Sequence, residues 1–252
     1  MKLPEARVWF GSEEPIFKTL PANVLANFRN PRSENALLWN TIYKIAQPTI
    51  SLRAILNLKP IWGTRGHFEE PDDNLMPYFW GFNVNGERLV GLDEALEVID
   101  GSGPRTEVDL ILMGGKHLIA VEAKHTSGFG RCTRFQLERC PEIHPQQAVE
   151  PNCRYWDVDE SKFERALRIG PRPGIDAEAP ACSRHYQLSR TLLLGEKLAE
   201  EHDRIFSLWA FVSRRGWRSL ELDWLDFTDR LRDSTVWRRA RVVSWAELNT
   251  LS

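Results

Sequence analysis

The stretch that most constrains this chain is 106–125, TEVDLILMGGKHLIAVEAKH. Two β-rich apolar runs flank Gly114-Gly115, which is the pattern of a β-hairpin. The second run carries Glu122 and Lys124 inside an otherwise apolar strand. Buried charge is expensive unless it is paired, so these two residues need a reason to be there. Side chains alternate between the faces of a strand, which puts Glu122 and Lys124 with Leu118 and Ala120. His117, Ile119, Val121 and Ala123 take the other face. A two-residue turn at Gly114-Gly115 pairs Met113 with Lys116 and Asp109 with Ala120. Asp109 and Glu122 then become diagonal neighbours, about 7–8 Å apart at the backbone. A slip of one residue would send Asp109 to the opposite face. The plain alternative is a solvated strand face with no special role.

Two carboxylates and a lysine on one sheet face suit metal-assisted phosphodiester hydrolysis. Hard carboxylate oxygens bind Mg²⁺ (or Mn²⁺), which keeps several of its waters. The metal polarises the phosphate and lowers the pKa of a bound water. A lysine beside it orients that water or offsets charge on the phosphate.

At these residues the sequence resembles the PD-(D/E)XK nuclease superfamily, in the bacterial putative restriction-endonuclease branch. The pattern is Asp109, twelve intervening residues, then Glu122-Ala123-Lys124. Pro104 stands five residues before Asp109, so the proline of the motif name is displaced. The layout through SENALLWN, RTEVDLIL, AVEAKH and HYQLSRTLL extends the likeness over roughly residues 27–250. The resemblance implies an α/β fold with a restriction-endonuclease-like core, a mixed sheet flanked by helices. It also implies Mg²⁺- or Mn²⁺-dependent endonuclease cleavage of DNA, of restriction or defence type. It implies that the Ala123 backbone carbonyl joins Asp109 and Glu122 as a metal ligand, and it allows a homodimer. A non-catalytic nucleic-acid-binding module that kept the fold is the alternative.

Three further positions bear on that site. Glu34 lies in the first turn of a helix expected from Ser33, a good N-cap, to Ala46. Positions 34, 37, 38, 41 and 45 share one face, which puts Glu34 on the inward stripe. The resemblance gives it a metal-supporting role, and a helix-start Glu favoured by the macrodipole is the other reading. Glu107 shares the Asp109 face by alternation and is the rival acid. Gln187, in HYQLSRTLLLGEKLA, matches a glutamine that related nucleases place near the site. The tyrosine that RecB-like members carry four residues later is Thr191 here. Arg190 is one turn from Gln187 and could reach a phosphate.

The rest of the chain reads as one domain over 33–252, preceded by an irregular arm over 1–32. Strands are expected around YFWGFNVNGERLV, with a turn at Asn85-Gly86, and around FSLWAFVS and RARVVSW. A helix or turn is expected at GLDEALEVID, a long amphipathic helix in CSRHYQLSRTLLLGEKLAEEHD, and short helices around LDWLDFTDRL and AELNTL. Residues 126–181 form an insertion with six Pro and one short helical pattern, DESKFERALRI. Irregular segments of that length are normally functional, metal-stapled or disordered. Cys132, Cys140 and Cys153 lie in it and Cys182 follows directly. Four thiolates could bind Zn²⁺ or an iron–sulfur cluster, though no CxxC pair is present. His144 and His185 are substitutes, and scattered free thiols are the alternative.

With 33 basic and 35 acidic residues the formal charge is −2, so contact with DNA requires a local basic face. Arg214, Arg215, Arg218, Arg238, Arg239 and Arg241, interleaved with Trp217 and Trp237, are the candidates. No apolar run approaches the ~20 residues of a membrane span, and MKLPEARVWFG lacks a signal-peptide stretch, so a cytoplasmic location with no membrane partner is expected. P-loop, GxSxG and HExxH motifs are absent from the sequence.

Overall fold

A computed structural model describes residues 8–30, 33–46, 48–64, 68–69, 71, 73–101, 105–156, 162–175 and 177–251. Pro104 falls outside them. The elements, in chain order, are α1 (Ala22–Asn27), α2 (Glu34–Ile45), β1 (Ile50–Ser51), α3 (Leu52–Asn57), β2 (Asn74–Phe79) and α4 (Leu92–Asp100). The hairpin β3 (Leu110–Met113) and β4 (His117–Lys124) comes next. After it run α5 (Thr133–Gln136), α6 (Lys162–Ala166), α7 (Ala181–Arg184), α8 (Tyr186–Glu201) and β5 (Ile205–Val212). The chain closes with α9 (Arg214–Asp229), α10 (Ser234–Arg239), β6 (Arg241–Ser244) and α11 (Trp245–Leu248).

The six strands form one mixed sheet in sequence order. β1 to β4 are antiparallel neighbours, while β4–β5 and β5–β6 are parallel. The change to parallel pairing follows from the connections. β3 and β4 are joined by a tight turn, whereas β4 reaches β5 through the excursion and α8, a crossover long enough to reverse direction. All eight residues of β4 are buried, so it is the central strand, covered on both faces. Leu118 and Ala120 pack with β5 residues Leu208 and Ala210 against α4, α8 and α9. Ile119, Val121 and Ala123 pack with Trp209 and Phe211 against α2, α3 and α11. The expected alternation along β4 is therefore observed.

The hairpin turn differs by one position from the sequence expectation. The Gly114 N–H donates to His117 O at 2.8 Å, and the turn residues are Gly115-Lys116. Met113 faces Leu118, Ile111 faces Ala120 and Leu110 faces Val121. The cause is Asp73, whose carboxylate accepts the N–H groups of Gly115, Lys116 and His117 at 2.8, 2.8 and 3.0 Å. Neither Gly114 nor Gly115 has positive φ. Gly114 is needed for close approach instead: a Cβ there would sit 2.3 Å from the Asp73 carboxylate.

Three other expectations change. Residues 15–28 are no loose arm: Ile16, Phe17, Leu20, Val24 and Phe28 are buried under the α2 face of the sheet. The Asn85-Gly86 segment is a turn without a second strand, held by the Asn83 carboxamide accepting from the Asn85 and Glu87 N–H groups. The short helix expected near LDWLDFTDRL is the sixteen-residue α9, N-capped by Ser213. Among the described residues, no helix is long and apolar enough to cross a membrane.

Candidate active site

The register places Asp109, one residue ahead of β3, opposite Glu122. The sequence expectation had it opposite Ala120. A shift of two preserves the face, because side chains repeat every second residue. Asp109, Glu122 and Lys124 therefore share the α8 side of the sheet, at the C-terminal end of β4. Lys124 Nζ lies 3.4 Å from Glu122 Oε2 and 3.8 Å from Asp109 Oδ2. Glu122 is fully buried and Lys124 is 5% exposed, which rules out a solvated strand face. The Asp109 side chain keeps 20% exposure and forms the open side of the cluster.

Glu122 has the most partners. Gln187 Nε2 donates to its Oε2 at 2.5 Å, and the Thr191 hydroxyl donates to its Oε1. Both donors project from the first two turns of α8, four residues apart and hence on one helix face. Thr191 was legible only as a mismatch to the RecB-like tyrosine; its signal is its i+4 spacing from Gln187. The other end of the Gln187 amide accepts the Gly130 N–H at 2.6 Å, so Gln187 ties Glu122 to the start of the excursion.

Burial pushes the Glu122 carboxyl up to about 7, against the opposing pull of the Lys124 charge. Asp109 is also raised by burial, partly offset by Lys124 and by the Ala123 N–H, which donates to Asp109 Oδ2 at 2.8 Å. Burial alone would lower Lys124, but the surrounding carboxylates of Asp109, Glu122 and Glu34 outweigh it and hold its pKa above the ordinary lysine value.

Glu34 reaches the same end of β4 from the opposite sheet face. Its Oε1 accepts the N–H groups of His125, Thr126 and Ser127 at 2.7, 3.2 and 3.2 Å, and the Ser127 hydroxyl reaches both oxygens. Burial would raise this carboxyl, but those N–H groups and the Lys124 charge hold it below the usual range. Glu34 is thus a clamp on the turn after β4 and a third negative charge beside Lys124.

The remaining candidates go elsewhere. Glu107 is exposed and accepts from Asn23 Nδ2 at 3.0 Å. Arg190 turns away to Asp100 Oδ1 at 3.2 Å and over the Tyr186 ring. Arg241 is fully buried, bonded to the carbonyls of Leu56 and Leu58 and stacked on Trp209, so it is no part of a basic surface. Trp217 is buried as well. Arg214, Arg215 and Arg218 are exposed on the first turns of α9. That helix leaves the sheet directly after Val212, the residue paired with Lys124. The basic set therefore splits, and one half stands at the Lys124 end of the sheet. Among the described residues, no group of three or more His, Cys, Asp or Glu side chains already stands arranged around one point to hold a metal ion. No protein-family model, curated protein or solved structure matches this chain.

Proposed function

We propose that this protein is a Mg²⁺- or Mn²⁺-dependent endonuclease that hydrolyses DNA phosphodiester bonds, in a restriction or defence role. The observation that carries the reading is the placement of Asp109 opposite Glu122 with the Lys124 ammonium between them. The fold itself puts a positive charge where the buried Glu122 carboxylate meets the half-buried Asp109 carboxylate. Hard oxygen donors at that point fit a divalent cation of the Mg²⁺ class.

Asp109 and Glu122 would hold the metal, with the Ala123 carbonyl as the third candidate ligand. Bound there, the metal supplies charge neutralisation at the phosphate and a more acidic water. Lys124 orients the attacking water and offsets charge that builds on the phosphate. Gln187 and Thr191 fix the Glu122 carboxylate, and Glu34 holds the turn that keeps Lys124 in place. The phosphate approaches from the Asp109 side. Arg214, Arg215 and Arg218 lie at the same end of the sheet and suit contacts to the DNA backbone.

The binding-module reading keeps one observation in its favour: Glu122 is already fully satisfied by Gln187, Thr191 and Lys124, as in a structural ion network. Plasmid cleavage separates the two. With Mg²⁺ or Mn²⁺ the native protein nicks or linearises plasmid, and Glu122→Gln and Asp109→Asn lose about 10³-fold or more in rate, as expected when several kcal/mol of metal stabilisation go. DNA binding without cleavage, unchanged in Glu122→Gln, establishes the binding module instead.

A further inference from the structure

The excursion holds a second cluster. Cys132, Cys140, Cys153 and Cys182 are separated by seven, twelve and twenty-eight residues, and all four are free thiols. They nevertheless converge. The Cys132 N–H donates to Ser183 O at 3.0 Å, which seats Cys132 beside Cys182. The Cys153 N–H donates to Glu142 Oε1 at 2.8 Å, which joins the turn after Cys140 to the turn at Cys153. Each of the four sulfurs lies within electrostatic reach of the other three. A cavity of about 30 Å³ opens between Cys132 and Cys153, walled by Arg134, Arg154, Tyr155 and Tyr186.

The backbone is disposed for thiolates. N–H groups of Glu142 and Ile143 act on the Cys140 sulfur, that of Tyr155 on Cys153 and that of Ser183 on Cys182. The Trp156 indole N–H also acts on Cys182. All of these donors are placed to stabilise a charged sulfur. Four thiols brought together from separate turns, with N–H donors trained on three of them, are a donor set that a soft metal takes as thiolates.

We propose that Cys132, Cys140, Cys153 and Cys182 form a four-thiolate site that takes one zinc ion or one iron–sulfur cluster. Zinc binding forms four S–Zn bonds and releases four thiol protons, with no change of oxidation state. A cluster uses the same four thiolates, with ferrous or ferric iron and inorganic sulfide as its other components. Arg134 and Arg154 flank the cavity and offset the negative charge that four thiolates bring. Because the sulfurs do not yet surround one point, loading draws the four loops inward.

The full-length protein, purified without oxygen or chelator, is analysed for zinc, iron and acid-labile sulfide. About one zinc per chain identifies the ion; two to four iron with matching sulfide and visible absorbance, roughly as Cys₄ clusters hold, identify the cluster. After metal removal, Co²⁺ titration of the intact chain gives a sulfur-to-cobalt absorption band. Cys140→Ser and Cys153→Ser form the sulfur-to-cobalt band at least about tenfold more weakly, while Leu222→Ala, at an exposed position of α9, leaves it unchanged. Metal-free protein as purified, together with a Co²⁺ spectrum lacking the sulfur band, overturns the proposal. So does a mass two hydrogens lower per cysteine pair, which marks disulfides. None of these readouts depends on DNA cleavage, so the two proposals fail separately.

Discussion

In the β3–β4 hairpin, polar chemistry is held by a regular ladder: Glu122 and Lys124 are fixed by strand pairing, and their partners come from α8 and from Asp109. In the excursion over 126–181, polar chemistry is held by turns and by aromatic packing. Phe163 stacks on Tyr155 at 4.6 Å and meets Trp156 edge-on at 6.0 Å, all three buried. The hairpin buries charge that must be balanced within the cluster. The excursion buries the rings of Tyr155, Trp156 and Phe163, whose stability comes from apolar area. A single lost group therefore leaves an uncompensated charge in one region and a void in the other.

The largest contrast should come from Lys124→Met. It strands two carboxylates, and breaking one partner of a buried pair costs about 3–5 kcal/mol. Urea unfolding at pH 8 measures the loss, and a change below about 1 kcal/mol would mean the carboxylates are better solvated than their burial indicates. At pH 5 the loss should shrink as the carboxyls take up protons. Phe163→Ala should cost about 3 kcal/mol by cavity formation, at either pH. Dependence on pH there would erase the distinction between the regions.

The turn gives a finer test. Gly114→Ala drives a methyl group into the Asp73 carboxylate and should cost about 1–3 kcal/mol. At Gly115 the Cβ would meet Asp73 Oδ1 at 3.5 Å, an ordinary contact, so Gly115→Ala should stay within about 0.5 kcal/mol. Equal effects at the two glycines would discredit Asp73 as the residue that sets the register.

The last effect is a slope, gradual rather than a single step. Glu122 titrates near 7 in the folded chain and at the ordinary carboxyl value of 4.5 when unfolded. Between those values the native state holds more protons, so Glu122 makes stability fall as pH rises, by up to about 1.4 kcal/mol per unit. Glu196, also raised by burial to about 7, adds to the same slope. Glu122→Gln should therefore flatten the curve without abolishing it. Saturating Mg²⁺ or Mn²⁺ should reverse the Glu122 share, because the ligating carboxyl must be ionised.

What the sequence made legible was periodic. β4, β5, α2 and α8 announce themselves by alternation or by helical spacing, and the shared face of Asp109 and Glu122 survived an error in the turn because a two-residue shift preserves parity. What it hid was non-local. Nothing near Gly114 reveals that Asp73, over forty residues earlier, captures the turn. Nothing near Ser127 reveals Glu34. The burial of residues 15–28 was masked by prolines that break the pattern without preventing packing. Arg241, apparently part of a basic surface, is interior because two carbonyls and a Trp209 ring await it.

Gln187 and Gly130 bond to each other twice, through Gln187 N to Gly130 O at 3.0 Å and Gly130 N to Gln187 Oε1 at 2.6 Å. The chain thus leaves the hairpin, travels through the excursion and returns to the point of departure. Geometrically the segment between them is a closed side loop, and the entropy of closing such a loop grows only with the logarithm of its length, about 0.6 kcal/mol per doubling. The loop is closed but not detached, because Tyr155, Phe163 and Leu167 lie in the same core as α8 and β5. Its two ends meet on the very amide that holds Glu122, so a displacement of the excursion is felt at that carboxylate through Gln187.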